Sequence, residues 1–239
     1  MRLEAPTGPV PLFTPARVQH LPPPARRWLI HAIQPDTPLL TTTRLSMHGR
    51  IRIGAWWRFQ AEQILRPPTG FVWAATTHLA GVPVTGFDRY TDGAGQMRWR
   101  LLGALPLISA AGPDTTRSAA GRLAAEFVLS PASALAPWIT WEPIDDHQAL
   151  ARVTIGPRTH LVTVTVAASG ALTSVSLPRW GNPDGHAHRQ HTFGVKVYSE
   201  TTFDGFTIPS YATAGWWHGT DRWADGQFIR FRVDHASFR

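Results

Sequence analysis

The chain has 239 residues, 43% of them hydrophobic and 16% charged, with no cysteine and a net charge of 23 − 16 = +7. That composition excludes a disordered chain, a disulfide scaffold, thiolate catalysis and cysteine-ligated metals. No run approaches the roughly 18 unbroken apolar residues of a membrane-spanning helix, and Met1 to Pro6 lack the apolar core of a secretion signal, so a cytoplasmic protein is expected.

Residues 1–22 carry Pro6, Pro9, Pro11, Pro15 and Pro22. They predict an extended surface arm, ahead of a single domain over 23–239. Pro23 and Pro24 suit the first turn of a helix, where a missing N–H costs nothing, and Pro35 ends it. From Arg44 to Ile53, Leu45, Met47, Ile51 and Ile53 alternate with polar residues, the period of a strand. Strand patterns follow over 56–65, 71–77, 84–90 and 96–102, the last two joined by a hairpin at Asp92-Gly93. Between Asp114, a candidate N-cap, and Pro131, the residues Ala120, Leu123, Ala124, Phe127 and Val128 recur at helical spacing. Arg122 and Glu126 fall four apart there, and an ion pair is expected on the exposed face. Strand patterns resume over 150–155, 160–166, 172–177, 193–202, 208–215 and 228–233, with a second hairpin sequence at Asp204-Gly205.

This order predicts a mainly β (α+β) fold: one highly curved antiparallel sheet or half-barrel of about ten strands, with two or three short helices. A twisted sheet of that size must curl or close, which gives it a concave face.

Several strings resemble an uncharacterised bacterial family, a domain of unknown function. They include Arg179-Trp180-Gly181-Asn182-Pro183, Phe203 with Gly205 and Ile208-Pro209, and Gly219-Thr220-Asp221-Arg222-Trp223. The similarity runs from about residue 20 to the end of the chain. It implies a single domain and no defined activity. The expected outline is similar to bacterial lipoprotein carriers, which hold acyl chains in a half-barrel.

Eleven tryptophans are the most informative composition feature. Trp57, Trp73, Trp99 and Trp180 are the expected wall of a concave site, with Arg179, or Arg222 beside Asp221, as anchor for an anionic end. The expected function is therefore binding of a hydrophobic or amphipathic, lipid-like small molecule. Stacking of arginine on tryptophan for structural reasons accounts for the same pairs. An alternative is an enzyme that uses Glu62, Asp88, Glu126 or Glu200, because a carboxylate facing an apolar cavity can act as a general acid or base. Another is a partner-binding protein with an arginine-rich outer face.

His186, His188 and His191 have spacing compatible with zinc, but no fourth ligand or acidic partner accompanies them, and no metal is favoured. No nucleotide, phosphate or nucleophile motif is present, so no cofactor is implied. Lys196 is the only lysine, and the arginines are scattered along the chain, so nucleic acid is not an expected partner.

Overall fold

The computed structural model describes residues 10–79 and 81–239. The first nine residues of the expected arm lie outside that range. Of the remainder, Phe13 and Val18 are buried in the core, and a 3-10 turn spans Pro15–Val18.

Among the described residues, thirteen strands form one antiparallel sheet. They are β1 (Thr43–Ile53), β2 (Ala55–Arg66), β3 (Gly70–Leu79), β4 (Val82–Thr91), β5 (Ala94–Leu101), β6 (Leu105–Ala111), β7 (Ile139–Pro143), β8 (Gln148–Ile155), β9 (Arg158–Val166), β10 (Leu172–Gly181), β11 (Arg189–Phe203), β12 (Phe206–Trp216) and β13 (Gln227–Phe238). Their spatial order is β6-β5-β4-β3-β2-β1-β13-β12-β11-β10-β9-β8-β7. The chain thus starts at the middle of the sheet and walks by hairpins to one edge. It then crosses to the opposite edge and walks back, until β13 pairs with β1. The count exceeds the expected ten chiefly through β6 and β7, the two edges.

Among the described residues, three α-helices accompany the sheet: α1 (Pro23–Ala32), α2 (Pro113–Ala125) and α3 (Trp223–Gly226). The crossover consists of α2 followed by 3-10 turns at Glu126–Leu129 and Pro131–Leu135. α2 packs against both β5 and β10, which are eight places apart in the sheet. Flat, strands so placed would be about 38 Å apart at ~4.8 Å per neighbour, against a helix diameter of about 10 Å. The sheet therefore curls around the helix, and the result is a half-barrel with the crossover lying in its concave face.

Alternation puts the apolar set inside. In β2, Phe59, Ala61, Gln63 and Leu65 are buried, while Arg58, Gln60 and Glu62 face out. On the other half, α1 presents Trp28, fully buried, to Phe127 of the crossover at 5.8 Å and to Trp141 of β7 at 6.1 Å between ring centroids. These rings clamp one edge of the sheet to its helical filling. The α2 cap differs from expectation. Gly112 precedes the helix without a side-chain cap. Asp114 instead accepts a hydrogen bond from Trp180 Nε1 at 2.8 Å, and Thr116 accepts one from the Gly95 amide at 3.0 Å.

Candidate functional site

Between α2, the 3-10 turn at Glu126–Leu129 and the sheet lies a cavity of about 130 Å³. Its wall is mostly apolar: Met47, Trp73, Val195, Phe193, Phe228 and Leu129 are among the lining residues. The polar groups that reach it are few, and they form two unlike sets.

The first set is closed on itself. Arg122 of α2 donates to Asp88 Oδ2 of β4 and to Glu126 Oε1, both at 2.7 Å, and to Gln63 Oε1 at 3.3 Å. Gln63 in turn donates to Glu126 Oε2 at 2.7 Å. The guanidinium lies 4.4 Å from the Phe71 ring centroid and 5.6 Å from that of Trp73. Burial opposes its charge, but Glu126 and Asp88 hold it above its ordinary value. Arg122 and Glu126 thus do pair, though at the cavity and not on an exposed face. A helix laid inside a curled sheet has no side fully turned to water.

The second set is Arg179 alone. It extends inward from β10 and is only 8% exposed. Its Nε donates to the Ser118 carbonyl at 3.1 Å. Its charged end rests 4.6 Å from the Phe193 ring centroid and 5.3 Å from that of Trp216. No carboxylate lies within ion-pair distance of it among the described residues. Burial pulls the guanidinium down to about 10, with Asp88 opposing and Arg122 reinforcing the shift. It is still a cation at neutral pH. Gly121 of α2 eases this placement, since a Cβ there would lie 3.2 Å from Arg179 Cγ and push the stem aside by a few tenths of an ångström. The helix passes directly over the arginine stem.

Of the expected wall, Trp73 lines the cavity. Trp99 is buried behind it, 5.9 Å away ring to ring. Trp57 sits near the end of β2, its Nε1 donating to the Ile53 carbonyl at 3.0 Å. Trp180 lies outside the cavity, beneath the Arg117 guanidinium at 3.6 Å. Asp221 and Arg222 are exposed in the loop before α3, with Arg222 stacked 3.7 Å from the Trp217 centroid.

The four acids also separate. Asp88 and Glu126 face the cavity and are committed to Arg122. Glu62 points outward from β2. Glu200 lies elsewhere, where burial pushes its carboxyl up and a 2.9 Å hydrogen bond to His31 Nε2 opposes the shift. The three histidines are not gathered. His186 and His188 are exposed, and the His188 ring is stacked on Trp180, whereas His191 is buried against Trp216. Among the described residues no group of three His, Asp or Glu is spaced to hold a metal ion.

A sequence profile for a family of unknown function (DUF6544) matches residues 11–228. Comparison with curated protein sequences finds no match. Among solved structures, a LolA superfamily protein from Nitrosomonas europaea is similar over 90% of this chain and 92% of its own, with 8% identity and a TM-score of 0.45. A candidate outer membrane lipoprotein-sorting protein domain from Vibrio parahaemolyticus is similar over 83% and 85%, also with 8% identity and a TM-score of 0.45.

Proposed function

The chain belongs to this family of unknown function, whose description carries no activity, and from the cavity itself we propose that the protein binds an amphipathic small molecule with an anionic end, such as an alkyl carboxylate. The observation behind this reading is Arg179: a buried cation with no carboxylate partner among the described residues, at the wall of an apolar space. A buried charge is costly unless compensated, and a guanidinium matches a carboxylate with two parallel hydrogen bonds. Asp88 and Glu126 do not fill that role, since Arg122 holds both. The same commitment makes them poor proton-transfer groups, which favours binding over catalysis. At about 130 Å³ the cavity suits a short apolar group, since an engineered protein cavity of about 150 Å³ admits benzene.

Calorimetric titration with hexanoate and hexanol tests the reading. Hexanoate should bind and raise the melting temperature. Hexanol, of equal chain length, should bind about tenfold or more weakly, because a hydrogen bond to a charged group contributes about 1.5–3 kcal/mol. Arg179→Met keeps an unbranched apolar side chain against Phe193 and should erase that preference. Equal binding of acid and alcohol by the unaltered protein would sink the proposal.

A further inference from the structure

The curled sheet gathers three adjacent hairpin tips at one end: β1–β2, β3–β4 and β5–β6. Each tip is apolar. Ile53, Leu79, Leu102, Leu105 and Leu107 are all exposed there, Leu102 at 63% and Leu105 at 60%. By sequence, residues 50–58, 77–85 and 97–109 contain no Asp or Glu, but they include Arg50, Arg52, Arg58, Arg98 and Arg100. Among the described residues the only acids beside the first tip are Asp221 and Asp225 of the β12–β13 loop, where Arg52 donates to the Asp225 carbonyl. Arg50 and Arg58 face each other across β1 and β2, and Arg98 and Arg100 lie on β5 behind the third tip. Trp56 and Trp57, both half-buried, stand just behind the first tip, with the Arg230 guanidinium 4.8 Å from the Trp56 centroid.

The β5–β6 tip makes the point sharply. Leu102 and Gly103 have φ of 53° and 69°, nearly the backbone of Asp92-Gly93 (54°, 75°) and Asp204-Gly205 (48°, 85°) in two other hairpins. Left-handed backbone favours Asn, Asp or Gly and disfavours a bulky apolar side chain. At Leu102 a leucine occupies that position and is turned to the outside. Nothing in the turn itself asks for it.

From these tips we infer that this end of the sheet docks on an anionic lipid bilayer. Neighbouring tips stand about 10 Å apart, two strand spacings. They form a row of separate apolar points rather than a groove for a helix or strand. The arginines begin one to two residues behind the apices, about 3–7 Å at the rise of a strand. That matches an interface in which apolar groups enter some 5–10 Å and the cations meet the headgroups. A second copy added to the edge strand β6 fits less well. Pro106 lacks an N–H to offer, and the β5–β6 register is broken between Trp99 and Arg100. This docking is independent of what occupies the cavity.

Co-sedimentation of the full chain with vesicles tests it, using phosphatidylcholine alone and mixtures with phosphatidylglycerol. The protein should bind the anionic vesicles preferentially, and salt should weaken the binding. Leu102→Asn combined with Leu105→Thr should lower the partition at least about tenfold, since two leucines no longer leave water. Asn suits the turn, so the melting temperature should not fall. Arg52→Gln with Arg100→Gln should remove most of the preference for phosphatidylglycerol. Protein that stays in the supernatant with both vesicle types overturns the inference. So does vesicle binding that survives L102N/L105T. Dimerisation abolished by L102N/L105T, without vesicle binding, would assign the tips to a second copy and overturn it equally.

Discussion

His160 sits in β9 close to α2, and its Nε2 is buried without a hydrogen-bond partner among the described residues. Burial pulls the imidazole down to about 4, and the Arg158 and Arg117 charges add to the shift. The folded state therefore holds the ring neutral where the unfolded chain, near 6.5, already binds a proton. The stability this confers is complete above about pH 6.5 and is lost as pH falls toward 4, by at most about 3 kcal/mol. The gap between urea midpoints at pH 7 and pH 4.5 should be narrower for His160→Gln than for the unaltered protein; His191 and His218, also held below the ordinary imidazole value by burial, keep part of it. Arg122 offers a second test. Its loss leaves two carboxylates facing an apolar wall, so Arg122→Met should cost about 3–5 kcal/mol in chemical denaturation, and adding Asp88→Asn and Glu126→Gln should recover much of it. At this scale the sequence was half legible. Arg179 and Trp73 could be named from a ring beside a guanidinium and from strand neighbours. Gln63 could not, because a glutamine at an inward strand position has no pattern of its own. The i,i+4 spacing of Arg122 and Glu126 revealed the pair but not the surface it faces.

Among the elements, the interior strands were readable because each buries one face under the crossover, and burial is what creates alternation. β6 and β7 were not, and they are the two edges. All seven residues of β6 are exposed or half-exposed, and β6 contains Pro106 while β7 ends in Pro143, residues that only an edge tolerates. β6 has neither face covered, so it has no periodicity to detect, whereas β7 turns Ile139 and Trp141 to the core but is only five residues long, too short to show one. α1 was readable from its prolines, and its function as a clamp rests on one ring. Trp28→Ala removes contacts to Phe127 and Trp141 together and should cost about 3–5 kcal/mol, read from the denaturant midpoint.

For the whole molecule, the central seam is the pairing of β1 with β13, the most distant strands in the chain. Gly49 sits in that seam, and a Cβ there would overlap the Arg230 carbonyl. Gly49→Val should therefore break the register of both halves at once and cost more than about 3 kcal/mol, the range of a buried backbone clash. Tryptophan fluorescence and far-ultraviolet circular dichroism should report coincident transitions in the unaltered protein, since the seam and the crossover make the two halves one cooperative unit.

The crossover joins the two sheet edges across the open side, as a string joins the tips of a bow. Residues 112–138 fix how far the tips can spread, and the cavity lies between bow and string. If the cavity takes alkyl carboxylates, its capacity is set by the slack in that string. Affinity should rise with each added methylene, by about 0.8 kcal/mol, until the slack is used up, and then level off abruptly.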